Sequence, residues 1–296
     1  MHYVVSIPID SSLAEFIGKK GTDNSLTFYN RNADKDVIVG LAPGAIDERF
    51  YAVAESLTIS DQIVLSTKVL DKLFGEMLLA CSLLDKRVLI TNDTDISQFL
   101  KGIKLANGEI VSKDQLIEKI TSFKDNKIDD SIRIDIDRAF PVKGLGTVAL
   151  GIVKRGTVKK HDELFHNSGK KVSVRSIQSH DVDFDEAGKG TRVGLVLKGI
   201  EPDEIDKGDF LAKSAVPKSG KIKAKLKLAA LNPETLKKGK NYEFVSGFTY
   251  VRAVPEEING DEVTLKFAKD VALEKGDEFL LIRAETPRIF ASGMVG

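Results

Sequence analysis

The hydrophobic pattern of this chain changes period at residues 124–127 (Lys-Asp-Asn-Lys), and no single-layer architecture accommodates both sides of the change. Before it, short apolar runs at 4–9, 25–29, 36–41, 62–66 and 87–91 read as strands, and they alternate with helical segments at 47–55 and 113–123. Val69, Leu70, Leu73, Phe74, Met77, Leu78 and Cys81 recur at the spacing of one helix face, a stripe that core packing explains. Strand–helix alternation predicts a mostly parallel sheet with helices on its faces. After the change, strands are short, alternate apolar with polar residues, and end at glycine or aspartate: 132–136, 147–154, 171–178 and 192–198. That pattern predicts a small antiparallel barrel. Residues 216–220 read as a linker, and a second all-β block follows at 221–229, 242–245, 249–254, 262–267, 278–283 and 287–291. The expected fold class is multidomain α/β plus all-β, divided at 1–128, 131–215 and 218–296.

Charge narrows the function classes. Forty-four basic residues balance 44 acidic ones, which argues against indiscriminate wrapping of nucleic acid but permits a local basic face; no DNA partner is expected. No apolar run is long enough to span a bilayer, and Met1-His2-Tyr3 opens directly into a strand-like segment without a signal-peptide pattern. A cytoplasmic protein without a membrane partner is expected. The one cysteine, Cys81, sits on the apolar stripe and reads as an inert core thiol, so disulfides and cysteine metal sites are not expected. His161 and His166 are five apart, a spacing that matches no metal motif, and read as solvated or hydrogen-bonded. No Ser/His/Asp order or nucleophile elbow is present. The carboxylates of 181–186 are mixed with Val182 and Phe184 and do not read as paired acids. No metal and no catalytic residue is expected.

The β-blocks carry more specific text. Phe140-Pro141-Val142-Lys143-Gly144-Leu145-Gly146-Thr147-Val148 is followed by Gly151, Gly156 and Lys160-His161-Asp162-Glu163. Then come Val174-Arg175-Ser176-Ile177-Gln178-Ser179-His180, Gly190-Thr191-Arg192-Val193-Gly194, Gly199-Ile200 and Ile205-Asp206-Lys207-Gly208-Asp209. The chain closes on Pro287-Arg288-Ile289-Phe290-Ala291-Ser292-Gly293-Met294-Val295. In order and spacing these segments resemble domains two and three of the elongation factor Tu superfamily. The combination is similar to archaeal relatives of the selenocysteine-specific elongation factor that have lost their GTP-binding residues.

The resemblance implies a degenerate P-loop-GTPase-like α/β domain ahead of two elongation-factor-type antiparallel β-barrels. Where the family keeps its phosphate loop, residues 4–13 hold no glycine and no lysine, so neither a backbone cradle nor a phosphate-binding charge is supplied. Gly21-Thr22 echoes the switch threonine. Leu41-Ala42-Pro43-Gly44 matches the family's D-x-P-G turn with leucine in the metal-ligand place. Asn92-Asp93-Thr94-Asp95 resembles N-K-x-D, with Asp93 replacing the ring-stacking lysine, and Ser112 matches the serine of the fifth motif. Asn92, Asp95 and Ser112 are therefore the expected remnant of a nucleotide site. An Asx turn and N-cap opening a helix at Ile96 is the local alternative for Asn92 and Asp95. A pseudo-GTPase without a cofactor is expected, its GTP affinity mostly lost.

In the family, the second domain accepts the aminoacyl end of tRNA and the third contacts the acceptor and T stems. By position, Phe140 matches the pocket aromatic, and Arg192 matches the arginine that faces the charged amino acid in the selenocysteine factor. Lys154, Arg155, Arg175 and Arg288 complete the RNA-binding candidates. Thr191 and Ala291 depart from the family pattern. The chain stops after the third block, so the C-terminal extension of the selenocysteine factor is expected to be missing. Three readings stay open: a translation factor-like binder of tRNA or a ribosomal component, a protein-interaction scaffold, and a weak guanine-nucleotide sensor.

Overall fold

The computed structural model describes residues 1–33, 35–103, 105, 107–124, 131–179, 182–229 and 234–296, and within strand 19–23 the side chains of Thr22 and Asp23 are not described. The expected boundary at 125–128, His180 and Asp181 lie outside these residues, as does the side chain of the switch-like Thr22. The first domain contains β1 (His2–Ser6), α1 (Ser11–Ile17), β2 (Lys19–Asp23), β3 (Leu26–Ala33), β4 (Asp36–Pro43), α2 (Phe50–Ile59), β5 (Gln62–Leu65), α3 (Lys72–Leu83), β6 (Arg87–Thr91), β7 (Asn107–Val111) and α4 (Leu116–Thr121). Its sheet runs β2-β3-β4-β1-β5-β6-β7. From β4 to β7 the neighbours are parallel, and β2 and β3 join as antiparallel hairpins. β1, β5 and β6 are buried almost throughout, as parallel strands covered on both faces must be.

The segments that follow β1 and β6 differ from expectation. α1 is only seven residues long, one short apolar face of Leu13, Ala14 and Ile17, and the Asp10 side chain caps it by accepting the N–H of Leu13. The helix expected to open at Ile96 is absent. Ser97 N–H does donate to Asp95 in an Asx turn (2.9 Å), but the following segment makes only a few turn bonds, such as Phe99 N–H to Ile96 O, before Gly102 adopts φ +97°.

One sheet face is covered by α1 and α4, whose Leu13, Ile17, Leu116 and Ile120 pack on Val5, Val64 and Leu89. The other is covered by α2, α3 and both barrels. Val4, Leu26, Phe28, Val39 and Leu41 share a core with Ile152 and Phe248. Phe50, Val53 and Leu57 share another with Val245, Leu280, Ile282 and Ile289. The first barrel closes through Arg133–Val142, Gly146–Arg155, Arg192–Lys198, Lys171–Ser179, Glu163–His166 and Phe210–Ala212. The second is a closed six-stranded barrel of Ser219–Leu228, Glu262–Val271, Thr249–Asn259, Tyr242–Ser246, Glu278–Ile282 and Ile289–Val295. The helices α2 and α3 and the barrels thus bury this sheet face together, so the three domains share their interiors.

Candidate functional site

In an open α/β sheet a ligand is received outside the carboxyl ends of the strands, where the strand order reverses. Here that point lies at the end of β1, between β4 and β5. The chain leaves β1 after Ser6 and reaches Asp10, whose extended backbone and side chain start α1. One Asp10 carboxylate oxygen accepts from Leu13 N–H (3.0 Å) and Ser12 Oγ (2.6 Å), and the other accepts from Ser66 Oγ at the end of β5 (2.7 Å). Burial by itself would raise this carboxyl. The hydrogen bonds from Ser12, Ser66 and Leu13, together with the charge of Lys68, outweigh it and hold the group below the usual range. An internal anion therefore sits at the start of α1 and takes the Leu13 N–H, one of its orphan donors.

The rest of the edge is tied up in the same way. Thr67 N–H donates to Thr91 Oγ1 and Thr67 Oγ1 to Thr91 O, each at 2.9 Å, while Thr91 Oγ1 donates to Asp93. Asn92 and Asp95 are exposed, and both Asp95 oxygens accept from Ser97. Ser112 is tied to Gln115 (3.1 Å) at the turn into α4. The structure thus places Asn92, Asp95 and Ser112 on one edge, at the ends of adjacent strands β6 and β7. Leu41 is fully buried beside Leu26 and Phe28, so the metal-ligand place of the D-x-P-G-like turn lies inside an apolar core. Among the described residues no group of His, Cys, Asp or Glu could hold a metal ion.

The RNA-binding candidates do not form one face. Arg192 pairs with Asp137 (2.5 Å) and lies over the Phe28 ring of the first domain (4.2 Å); burial lowers its pKa despite that partner. Lys154 donates to Ile59 O (3.3 Å) of α2, Arg155 pairs with Glu274 of the second barrel (2.5 Å), and Arg288 forks onto Glu76 of α3. These four are engaged at contacts between domains or beside them. Arg175 is exposed in Lys171–Ser179, and Phe140 is 36% exposed near a hairpin tip whose Leu145 is 56% exposed.

His166 is buried. Its Nε2 is 3.1 Å from Asp209, and its Nδ1 faces Ser168 Oγ at 2.9 Å and the Ser168 N–H at 3.2 Å. A serine, histidine and aspartate meet here although the sequence order does not announce it. Lys218 takes the other side of Asp209 at 2.8 Å, and the arrangement clamps a hairpin turn.

Sequence reasoning did not single out Asp10, Glu55, Glu76 or Lys207. Asp10 carries an N-cap signal; Glu55 and Glu76 are acids inside helices that are otherwise buried, a signal in itself. Glu55 is fully buried and accepts from Lys207 Nζ (2.6 Å) and Ser25 Oγ (3.3 Å). Burial raises its pKa more than Lys207 and Ser25 lower it. A raised folded value means that its share of stability is complete below the unfolded glutamate pKa and is lost as pH rises through the folded one. Glu55→Gln is expected to abolish that decline, with neutral-pH stability unchanged or higher because the partly exposed Lys207 can turn to water. Urea melts across about pH 4 to 8 read this directly; a decline identical to wild type would show that Glu55 is not the titrating group.

Comparison with known proteins places this geometry. The profile of elongation factor Tu domain 2 matches residues 146–212. The uncharacterized protein MJ0325 of Methanocaldococcus jannaschii is 31% identical over 276 residues, 90% of each chain. The selenocysteine-specific elongation factor of the same organism is 28% identical over 183 residues, 54% of this chain and 39% of the relative. Elongation factor 1-alpha of Thermofilum pendens is 34% identical over 105 residues, 34% of this chain and 24% of the relative. This chain thus spans well under half the length of those two named factors. Among solved structures, apo elongation factor SelB of Methanococcus maripaludis superposes with a TM-score of 0.79 at 21% identity, covering 100% of this chain and 79% of that one. Bacterial selenocysteine-specific elongation factor EF-Sec gives 0.81 at 18%, covering 100% and 58%.

Proposed function

The chain belongs to the elongation factor Tu superfamily, in one family with the M. jannaschii protein and related to the selenocysteine-specific elongation factor, and from that premise we propose that it is a pseudo-GTPase that binds tRNA or a ribosomal component through its barrels. The observation that carries the first half is the Asp10 carboxylate at the start of α1, bonded to Leu13, Ser12 and Ser66. A nucleotide phosphate entering there would meet a fixed negative charge in place of a lysine and open N–H groups. Leu41 offers no oxygen for the Mg²⁺ shell, and Asp95, the remnant base-reading acid, is held by Ser97. With cradle, metal ligand and phosphate charge all lacking, phosphoryl transfer has no electrostatic support.

The second half rests on descent and on two exposed candidates, Phe140 and Arg175. An aromatic beside a hairpin tip suits stacking against a terminal base, and an exposed arginine on a barrel strand suits a phosphate. Calorimetry with GTP and Mg²⁺ is expected to give no binding heat, and micromolar affinity would sink the pseudo-GTPase reading. Fluorescence anisotropy with labelled tRNA is expected to show affinity falling with salt. Arg175→Ala should reduce the slope of log affinity against log salt by about 1. Absence of any salt-dependent association with tRNA or ribosomes would end the RNA reading.

A further inference from the structure

We infer that α2, the helix after the altered D-x-P-G turn, is a fixed bolt between the three domains and not a moving switch element, so that partner binding does not respond to guanine nucleotides. The clause on partner binding rests on the RNA reading above; the bolt itself does not. A nucleotide switch needs an element with two arrangements, each satisfying its buried groups. Nine of the ten α2 residues are buried, all except the half-buried Tyr51, which stacks on Tyr250 of the second barrel at 4.6 Å. A helix buried on every side has no free face on which to slide.

Its polar groups are satisfied by every domain at once. Ser56 Oγ meets Ser6 Oγ of β1 at 2.8 Å. Glu55 accepts from Lys207 of the first barrel at 2.6 Å. Thr58 Oγ1 accepts the Gly247 N–H of the second barrel at 3.1 Å. At the carboxyl end, Lys86 donates to the carbonyls of Leu57 (2.6 Å), Thr58 (2.9 Å) and Ser60 (2.6 Å), and Lys154 of the first barrel donates to Ile59 O. Two ammonium groups thus meet the negative end of the helix dipole. Burial pulls Lys86 down to about 8 against the pull of Glu278, consistent with a group enclosed by the seam. A shift of one turn would break these bonds together and leave the buried Glu55 carboxylate and several helix-end carbonyls without their present partners.

The test places spin labels on Lys101→Cys in the first domain and Lys269→Cys in the second barrel, both exposed positions; buried Cys81 does not compete for the label. Pulsed dipolar spectroscopy is expected to give one narrow distance distribution, unchanged by GTP or GDP with Mg²⁺ and by saturating tRNA. Calorimetry on the full chain is expected to show a single cooperative transition. A second distance population, a nucleotide-dependent shift or separate melting of the first domain would overturn the bolt. A constant distance in a protein that fails to bind tRNA supports the bolt and ends only the RNA reading.

Discussion

Arg288→Ala is expected to destabilise the protein by about 3–5 kcal/mol, because it leaves a buried carboxylate without its charge partner. The Glu76 side chain is 3% exposed on α3, and it accepts from Arg288 Nε at 3.0 Å, from Nη2 at 2.7 Å, and from the Arg288 backbone N–H. The same guanidinium lies 3.9 Å from the Phe50 ring centroid at the start of α2, a contact worth about 0.5–2 kcal/mol more. The side chain joins α3 to the second barrel across the cluster formed by Phe50, Leu57, Leu280 and Ile289. At about 2–4 °C per kcal/mol for a chain of this order of size, the melting temperature should fall by roughly 10 °C. The double variant Arg288→Met, Glu76→Met should recover most of that loss, since paired removal leaves no orphan charge. Arg288→Lys should fall between, because an ammonium cannot bring two fixed side-by-side donors to Glu76 Oε2 as Nε and Nη2 do, or stack flat on the ring. A loss below about 1 kcal/mol for the alanine variant would show that this seam contributes as little as an exposed ion pair.

The same arginine shows where sequence reading stopped. It was recognisable as part of the closing motif, and its residue type suited phosphate; its partner lies on a helix 212 residues away in sequence. Arg155 and Glu274 are 119 apart, and Arg192 and Asp137 are 55 apart. Pattern and spacing report local periodicity, not which charge a folded seam delivers to which. The barrels were legible because each strand alternates and each turn demands its own chemistry: Gly144, Gly146, Gly190, Gly199 and Gly208 all adopt positive φ. α3 was legible from its stripe, and Phe74, Met77, Leu78 and Cys81 are all buried. β2 and β7 were not: Lys19–Asp23 and Asn107–Val111 are edge strands with little apolar content, held by backbone pairing and, in β7, by buried Val111 and the pairing of Glu109 with Arg87. At the candidate site, the missing glycines and lysine were visible in residues 4–13. That Asp10 fills the gap was not, because the Ser66 hydroxyl it binds comes from another strand.

Gly208→Ala is expected to cost about 2–5 kcal/mol, the sum of two separable effects. The first is conformational: φ is +93°, a region that costs an L-residue about 1–2 kcal/mol. The second is steric and lies between the barrels. A Cβ at Gly208 would sit 2.8 Å from the Cα and Oγ1 of Thr249 and 3.0 Å from its backbone nitrogen. Thr249 cannot swing aside, because its Oγ1 donates to Gly208 O at 3.1 Å and its Cα belongs to a strand of the closed barrel. Overpacking of this kind costs about 1–3 kcal/mol. Gly144→Ala supplies the control, with φ of +83° and open space around the added carbon; it should lose only the conformational share. Denaturant melts of the two variants side by side isolate the contact between barrels as their difference. Equal losses would mean that the barrels part at Gly208 without resistance, and the close approach of Gly208 to Thr249 would then contribute nothing to holding the domains together.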